Sequence, residues 1–472
     1  MNFKISKTVF YNALQIASRA ISNFSPLPAF SGIKIEAKSD CLVLIGSDSD
    51  ISIKTLIRTN EEESLQILET GSIVIEAKYI LEIIRKMNSD TIEFEMIENA
   101  SAKIISETSE FKINGMRANE YPNIDFTCPA MKFEMQSEVL KEIISQTTFA
   151  TSKSEIRPVL TGVNFNCSKN RLNCVATDSY RLAKKTVDLE ESLDFNITIP
   201  ARNLTEVMKT LDLDEKVMIS VSDKKAQFVI KNTLIQTRLI DGAYPETDRL
   251  IPVSFAYELE IDSSDITSAI DRASFIKNDG VSVIKLSLDE KECLLSSRAQ
   301  EVGSSKENLR NAVFKGDHLD ISFNGLYVFD ALKVINKGKV RFSFSGEMKP
   351  FIVQSVDDNS ILVNDSNELN ALSPILVTYS SISILWTLTP SFPGWPLTPW
   401  IPWAPVAPSL PLVTVNVDVV PSLYLMVYVS TNPSVLVLVI DSTPIPGSPF
   451  SPLTVSNHSS YVPSYPASTA RR

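Results

Sequence analysis

The feature that most constrains the fold is a stretch of sequence that occurs three times. Its middle copy, Leu160–Ala183, reads LTGVNFNCSKNRLNCVATDSYRLA. Apolar and polar residues alternate in VNFNC and again in LNCVA, which is the period of a strand with one buried face. The polar segment SKNR between them has the composition of a turn. Similar stretches start at Ile33 and Ile284, so the sequence predicts the same pair of strands three times.

A second repeated unit is an amphipathic helix followed by an alternating strand. Its copies start at Ile75, Ile199 and Phe323, which are 124 residues apart both times. Apolar residues in each copy recur at i, i+3, i+4 and i+7, the pattern of a helix with one buried stripe. A further helix opens each unit, in KTVFYNALQIASRAI, SEVLKEIISQTTFA and SSDITSAIDRASFI.

Together these units give a repeat of roughly 120 residues, which is the size of a whole domain and too long for a solenoid repeat. We therefore predict an α+β fold made of three tandem copies of one domain, each with two helices and about eight strands. The predicted domains cover residues 1–126, 130–252 and 256–368. The predicted helices lie near residues 6–20, 76–88, 136–153, 201–212, 263–278 and 324–337.

Composition argues against an enzyme. The chain has two histidines, His318 and His458, in unrelated contexts. A Ser-His-Asp triad, a histidine base or a zinc site of the usual kind would need one of them. Neither common glycine-rich phosphate loop is present. We predict no catalytic residue, no metal and no cofactor, and we interpret His318 as a solvated loop residue.

The charge and the cysteines of the chain limit where the protein can act and what it can bind. The N-terminus, MNFKISKTVF, lacks an apolar signal core, and the five cysteines form no disulfide framework, so we expect a cytoplasmic protein. A net charge of −11 argues against gripping nucleic acid over most of the surface. On the predicted helices, however, basic residues outnumber acidic ones, which suits loose, sequence-independent contact with phosphates.

Four motifs carry a resemblance to a known family. They are ATDSYRLA at 176–183, DGAYPETDRLIP at 241–252, FNGLYVFDAL at 323–332 and GEMKPF at 346–351. In this order, and with the threefold repeat, they resemble the bacterial β sliding clamps, the processivity subunits of replicative DNA polymerase. The resemblance covers residues 1–363.

The resemblance implies a head-to-tail homodimer whose six domains encircle duplex DNA, with helices facing the DNA and sheets facing outward. It also implies an ATP-driven clamp loader, and tethering of the replicative DNA polymerase and of repair proteins through short peptides. The DNA would be held because the ring is closed, so few phosphate contacts are needed. A heterologous interface that closes into a ring is the contact such a repeat would use.

The resemblance further implies a peptide-binding cleft between the second and third domains. Leu160, Leu182 and Met348 would form an apolar socket, while Arg181 and Asn324 would fix the peptide backbone. Domain packing is an equal explanation for Leu160 and Pro252. Tyr180 stands where the family often has histidine. The carried-over cleft residues are Leu160, Thr177, Tyr180, Arg181, Leu182, Pro252, Asn324, Tyr327 and Met348.

Candidate DNA contacts are basic residues of the predicted helices and of one loop. Arg202 matches a basic position of the family, Lys153 lies in a loop that faces DNA there, and Phe24 stands where relatives can carry arginine. The candidate set is Lys78, Arg85, Lys153, Arg202, Lys209, Arg272, Lys277 and Lys333.

The resemblance stops before the C-terminus. The family closes its cleft with a short apolar–Pro–x–Arg segment, but residues 364–368 read NDSNE here. Residues 371–472 hold 17 of the 26 prolines, all four tryptophans and no lysine or glutamate. Proline at every third position from Pro390 to Pro411 is typical of polyproline II. We expect a disordered tail outside the clamp fold.

Three explanations of this tail stay open. The first, which we prefer, is that the tail is an out-of-frame or read-through product. The second is a proline-rich segment that recruits a partner, and the third is a membrane-associating extension. If the tail blocks ring closure or loading, the chain would instead be a peptide-binding scaffold or adaptor that does not encircle DNA.

Overall fold

The structure is a computed structural model of the chain. It describes residues 1–22, 27–59, 65–97, 100–212, 214–277, 280–335, 338–356, 361–364, 414–419, 424–431 and 434–441, the last four segments by their backbone alone. The chain divides into two units, Met1–Ile375 and Leu376–Arg472. Phe24, residues 373–379 and the segment from Pro390 to Pro411 lie outside the described residues.

Each predicted helix is present and begins within one residue of its expected start. The helices are α1 (Lys7–Ser18), α2 (Ala77–Lys86), α3 (Ser137–Thr148), α4 (Ala201–Met208), α5 (Ser263–Ala273) and α6 (Gly325–Ile335). They end earlier than predicted because the chain tightens after the last helical turn. After α3, for example, the N–H groups of Ala150 and Thr151 bond to the carbonyls three residues back.

Strands surround the two helices of each domain. The first domain contains β1 (Asn2–Ser6), β2 (Gly32–Ala37), β3 (Cys41–Ser47), β4 (Ile51–Arg58), β5 (Leu65–Glu69), β6 (Gly71–Glu76), β7 (Thr91–Ile97), β8 (Ser101–Ile105), β9 (Glu110–Asn114) and β10 (Met116–Arg117). The second contains β11 (Met131–Gln136), β12 (Gly162–Thr177), β13 (Arg181–Pro200), β14 (Lys216–Val221), β15 (Lys225–Ile230) and β16 (Thr233–Arg238). The third contains β17 (Tyr257–Asp262), β18 (Val283–Leu288), β19 (Cys293–Ala299), β20 (Gly303–Asn308), β21 (Val313–Lys315), β22 (Leu319–Asn324), β23 (Lys339–Phe344), β24 (Phe351–Ser355) and β25 (Ile361–Asn364).

The long strands β12 and β13 contain the stretch from which the repeat was recognised. They pair antiparallel in two blocks, and the register shifts between Lys169 and Arg171. Lys169, in the predicted SKNR turn, has a positive φ of 59° at this shift. The structure nevertheless assigns Gly162–Thr177 as one strand, not as two strands joined by a turn. The predicted α+β fold of three tandem domains is confirmed by this arrangement, whereas the exact domain boundaries stay predictions.

Strand pairing joins neighbouring domains into continuous sheets. At the first joint β4 pairs with β16, within a sheet of order β10-β6-β2-β3-β4-β16-β15-β14-β11. At the second joint β13 pairs with β25, within a sheet of order β12-β13-β25-β24-β23-β17-β21. Two other sheets, β5-β1-β7-β8-β9 and β20-β19-β18-β22, belong to the first and third domains alone. The latter two sheets therefore leave β9 and β20 as edge strands.

The helices pack their apolar stripes on the sheets. In the first domain Phe3 of β1 stacks on Phe94 of β7, with ring centroids 4.9 Å apart, and both rings are fully buried. Gly46 lets α1 approach β3, since a Cβ at this position would lie 2.1 Å from the carbonyl oxygen of Ala17. Most of the first domain's apolar residues form a core of their own, while Ala20, Ile51 and Ile53 belong to the core that the second and third domains share.

The second unit contains three described strands, β26 (Thr414–Val419), β27 (Tyr424–Thr431) and β28 (Ser434–Asp441). They form an antiparallel sheet in that order. Within the described residues, no helix is both long enough and apolar enough to cross a membrane.

Candidate functional site

The turn between β12 and β13 is rigid because its polar side chains bond to its own backbone. The carboxylate oxygen Oδ1 of Asp178 accepts the N–H groups of Tyr180 and Arg181, both at 2.9 Å. The hydroxyl of Thr177 accepts the N–H of Ser179 and donates to the carbonyl of Arg181. Ser179 has a φ of 78°, which this network holds in place. The turn therefore presents Tyr180 and Arg181 in fixed directions.

Arg181 is the most contacted side chain of the site. Its Nε donates to Asp178 at 3.1 Å, one terminal nitrogen donates to Asp330 at 2.8 Å, and the other donates to the carbonyl of Phe149 at 2.7 Å. The guanidinium also lies over the rings of Phe149 and Tyr327, at 5.4 and 4.6 Å from their centroids. Only 7% of the side chain is exposed. The guanidinium therefore ties the second domain to α6 of the third rather than facing solvent.

Two tyrosines line the site beside this arginine. Tyr180 and Tyr327 stack with centroids 6.2 Å apart and ring planes 26° from parallel. Burial raises the pKa of both hydroxyls, and it also raises the pKa of the Asp178 carboxyl, which Arg181 opposes. The half-buried ring pair forms a wall to which both domains contribute.

An apolar cluster lies next to the turn. Leu182 and Val175 of the second domain pack with Ile352 of β24, and Tyr244 and Ile251 cover them. The hydroxyl of Tyr244 accepts the N–H of Thr177 at 3.0 Å, and burial raises its pKa. We refer to this cluster as the apolar floor; of the predicted socket residues Leu160, Leu182 and Met348, it contains only Leu182.

The other predicted cleft residues differ in exposure. Leu160 is buried, with 3% of its surface exposed, whereas 63% of Met348 is exposed in the turn between β23 and β24. Pro252 is half-buried and follows Ile251 of the cluster. Asn324 caps α6, because its side-chain oxygen accepts the N–H of Leu326 at 3.1 Å. The structure thus gives Asn324 a helix-capping role that the sequence pattern did not predict.

Sequence reasoning missed the residues that complete the network. Asp330 and Phe149 contact Arg181 from two different helices, and Tyr244 and Ile352 contribute to the floor. The one available signal for Asp330 was its position three residues after Tyr327, which places both on one face of α6.

Four of the eight candidate DNA contacts form ion pairs within the chain. Arg85 pairs with Glu82, Arg202 with Asp48, Lys209 with Glu206 and Arg272 with Glu307. All four basic side chains remain more than half exposed, so these pairs are individually weak.

The remaining candidates are Lys78, Lys153, Lys277 and Lys333. Lys78 lies 5.8 Å from the ring of Tyr79, and Lys333 lies 4.3 Å from that of Phe329. Lys153 and Lys277 are exposed. In the part of the chain that the structure describes, none of these four lysines has a carboxylate oxygen within 4.0 Å.

His318, which the sequence predicts as a solvated loop residue, lies near two carboxylates. His318 is 59% exposed, between the carboxylates of Asp289 and Asp320 at 3.6 Å each. Over the described residues, no group of three His, Cys, Asp or Glu side chains is arranged to hold a metal ion.

Three family models match successive parts of the chain. Residues 1–125, 134–246 and 248–364 match the family models described as the N-terminal, central and C-terminal domains of the DNA polymerase III beta subunit. A relative named beta sliding clamp, from Staphylococcus epidermidis, is 40% identical over 366 residues, which are 76% of this chain and 97% of that protein.

Two solved structures share the fold of the first unit. The crystal structure of the DNA polymerase sliding clamp from Bacillus subtilis has a TM-score of 0.74 and 36% identity, covering 78% of this chain and 98% of that one. A sliding clamp from Bartonella birtlesii, solved bound to griselimycin, has a TM-score of 0.73 and 24% identity, covering 78% of this chain and 99% of that one.

Proposed function

The chain belongs to the beta sliding clamps, the non-catalytic beta subunits of DNA polymerase III that act in DNA replication, and from this premise we propose that it encircles duplex DNA as a head-to-tail dimeric ring. The cleft between the second and third domains would tether the replicative DNA polymerase and repair proteins, and an ATP-driven clamp loader would place the ring on DNA in the cytoplasm. The observation that carries this proposal is the geometry of the joints between domains.

The two joints within the chain are formed by equivalent strands of the domains, paired in the same register. At the first joint Ile53 lies opposite Ile235, and at the second Ala183 lies opposite Leu362. In each domain a chain of paired residues leads from the first strand to the strand at the joint. These paths are Phe3–Phe94–Ile104–Phe111, Phe133–Ile219–Phe228–Ile235 and Leu259–Phe342–Val353–Leu362.

The path of the first domain ends at Phe111 in the edge strand β9. The other side of each joint is formed by the strand that follows the repeated turn. Equivalent pairs of residues across this turn are Ser47 with Ser52, Thr177 with Leu182 and Arg298 with Ser304. The third domain therefore offers Ser305, in the edge strand β20, at the position of Ile53 and Ala183. We infer that Phe111 of one protomer lies opposite Ser305 of its partner, which closes a ring of six domains through a third joint of the same kind.

Apolar side chains are exposed in the first and third domains, whose edge strands β9 and β20 would form the third joint. Phe275 is 81% exposed just after α5, and Phe111 is 37% exposed on β9. Counting from the first residue of each helix, Phe275 corresponds to Arg19 and to Phe149. Arg19 donates to the carbonyl of Lys209 across the first joint, and the ring of Phe149 lies against Arg181, which bonds across the second joint to Asp330. A second copy of the chain would cover Phe275 in the same manner.

Charges on the two edge strands are complementary. The inferred register places Glu110 opposite Lys306, and Lys112 opposite Ser304. Oppositely charged residues directly across an antiparallel pair are favourable, by about 0.2–1 kcal/mol in general. In the isolated chain Glu110 is paired instead with Lys103 at 2.9 Å. Ring closure would therefore exchange one exposed ion pair for another, which suits a joint that must open for loading.

The cleft supports the peptide-tethering part of the proposal. Its half-buried wall of Tyr180 and Tyr327 stands next to the buried cluster of Leu182, Val175 and Ile352, and aromatic and apolar side chains of this kind are typical of sites that bind short peptides. The related clamp solved with griselimycin supplies a probe for this surface.

Retention on circular DNA tests the ring. The protein is incubated with nicked circular duplex, ATP and a clamp loader from a relative, and the circle is then linearised. We expect the protein to stay on circles in moderate salt and to leave the cut ends, because the hold is topological. Release that ignores linearisation, or no loading at all, would replace the ring by the peptide-binding scaffold that does not encircle DNA.

A further inference from the structure

Every nitrogen of the Arg181 side chain already donates a hydrogen bond within the chain, which uses three of its five N–H groups. Its three nitrogen positions donate to Asp178, Asp330 and the carbonyl of Phe149, at 2.7–3.1 Å. The faces of its guanidinium meet the rings of Phe149 and Tyr327. Only 7% of the side chain is exposed, so little of it is open to a ligand. We therefore look for its effect on the cleft in the contacts that it holds.

Asp330 is the charged partner that the third domain supplies. Asp178 and Phe149 belong to the second domain, so their bonds to Arg181 leave the joint untouched. The bond from Arg181 to Asp330 crosses the joint, 149 residues along the chain. Asp330 lies one turn after Tyr327 on α6. The carboxylate of Asp330 therefore holds the Arg181 guanidinium at the place where it lies over the Tyr327 ring. Tyr327 in turn stacks on Tyr180.

The first joint shows that the fold does not need this tie. Glu206 lies five residues after the first residue of α4, as Asp330 lies five after that of α6, yet Glu206 pairs within its own helix with Lys209 at 2.8 Å. The residue that opens the joint strand is Ile51 there and Arg181 here. The tie is thus a property of the joint that carries the cleft.

We propose that Asp330 is a positioning residue of the cleft, which holds Arg181 and through it the paired tyrosines in the orientation that a peptide ligand requires. This proposal rests on the proposed peptide-binding function of that site. It assigns to Arg181 the role of an intermediate between Asp330 and the aromatic wall.

Griselimycin affinity of the full-length protein tests the proposal. Hydrogen bonds to charged groups are strong enough that Asp330→Ala should weaken binding roughly tenfold. Glu206→Ala, the matched change at the first joint, should leave the affinity unchanged. Asp330→Glu keeps the carboxylate and should recover part of the loss. Unchanged affinity in Asp330→Ala would overturn the proposal.

A double variant separates positioning from general weakening of the fold. If Asp330 acts through Arg181, then Asp330→Ala combined with Arg181→Met should bind no more weakly than Arg181→Met alone. Independent effects would multiply, giving roughly a hundredfold loss if each single change costs tenfold, and that result would contradict the proposal. Thermal midpoints of all variants show whether any has simply unfolded.

Hydrogen exchange gives a readout that needs no ligand. Asp330→Ala should speed amide exchange in residues 181–184 and 325–335, whereas Glu206→Ala should not. If the unmodified chain does not bind griselimycin but exchange responds in this way, the proposed function fails and the tie stands. If the chain binds griselimycin and neither affinity nor exchange responds to Asp330→Ala, the tie is wrong and the proposed function stands.

Discussion

Phe30 and Leu160 occupy equivalent positions at the first and second joints, and they differ in size. Each is the third residue of a short 3-10 helix that begins with proline and precedes a glycine, in Pro28–Ser31 and Pro158–Thr161. The ring of Phe30 packs edge-on against Tyr121, with centroids 5.5 Å apart and planes at 81°. The larger side chain thus fills, in the first domain, the place that Leu160 takes beside the cleft.

Leu160→Phe is therefore expected to obstruct the cleft. A phenylalanine would bring the bulk of Phe30 to the second joint, and overpacking of a buried site costs about 1–3 kcal/mol in general. We expect griselimycin affinity, measured by calorimetry, to fall at least tenfold. Phe30→Leu is the control, because it removes bulk from the first joint, which has no cleft, and should not change the affinity for griselimycin. Equal affinities in all three proteins would exclude Leu160 from the site.

The repeat made most of the fold predictable, because it shows the same periodicity in three sequences. The helix starts and the strands around the SKNR turn follow from local pattern alone. Pairing between domains, such as Ile53 with Ile235, does not, since nothing local marks which edge strands meet. The bond from Arg181 to Asp330 was not predictable for the same reason, because the two residues are remote in sequence.

The ring joint predicts a specific disulfide between protomers. Equivalent pairs are Ser52 with Gln236 and Leu182 with Val363, so Lys112 should lie opposite Ser304 of the partner subunit. Directly paired residues are about 4.5–5.5 Å apart at Cα, within the range of a disulfide. Lys112→Cys with Ser304→Cys should give covalent dimers under mild oxidation, visible on a non-reducing gel.

The control for this cross-link shifts one cysteine along the same strand. Lys112→Cys with Lys306→Cys places the pair diagonally, about 7–8 Å apart, and should cross-link poorly. More efficient cross-linking of the shifted pair would mean that the register is wrong. The absence of dimers from both pairs would count against the head-to-tail joint itself.

A charge reversal tests where Lys78 acts. Lys78 corresponds, by its place after the first residue of its helix, to Arg202, which pairs with Asp48 across the first joint at 3.2 Å. At the ring joint the turn before β20 carries Glu301, so we expect Lys78→Glu to weaken dimerisation in equilibrium sedimentation. Glu301→Lys should do the same, and the double variant should restore the dimer. If Lys78→Glu weakens only DNA binding, Lys78 belongs to the DNA face.

The ion pairs of Arg85 and Lys86 with Glu82 predict that DNA affinity rises when the Glu82 charge is removed. Both basic residues donate to Glu82, which lowers the pKa of its carboxyl to about 2. Since the pKa is lowered, the pairing is complete above about pH 4.5 and is lost only as the pH falls towards 2, so it is intact at neutral pH. Glu82→Gln should free both cations and steepen the salt dependence of binding to linear duplex by about one phosphate contact.

Glu138→Gln on α3 is the control, because it changes the net charge equally and leaves Arg85 paired. Lowering the pH from 7 to 5 should not reproduce the effect of Glu82→Gln, as Glu82 stays ionised throughout. Equal salt dependence in the two glutamine variants would show that net charge, and not release of Arg85 and Lys86, controls contact with DNA.

Removal of residues 376–472 should leave the first unit intact and reveal what the tail does. The chain divides into two units after Ile375, and β26, β27 and β28 form a sheet of their own. We therefore expect a chain that ends at Ile375 to unfold at the same temperature as the first unit of the full protein. If the shortened chain loads onto circular DNA and the full chain does not, the tail blocks loading and the full protein is a scaffold. Equal loading would assign ring function to the chain with its tail, whereas a lower unfolding temperature of the shortened chain would show that the two units depend on each other.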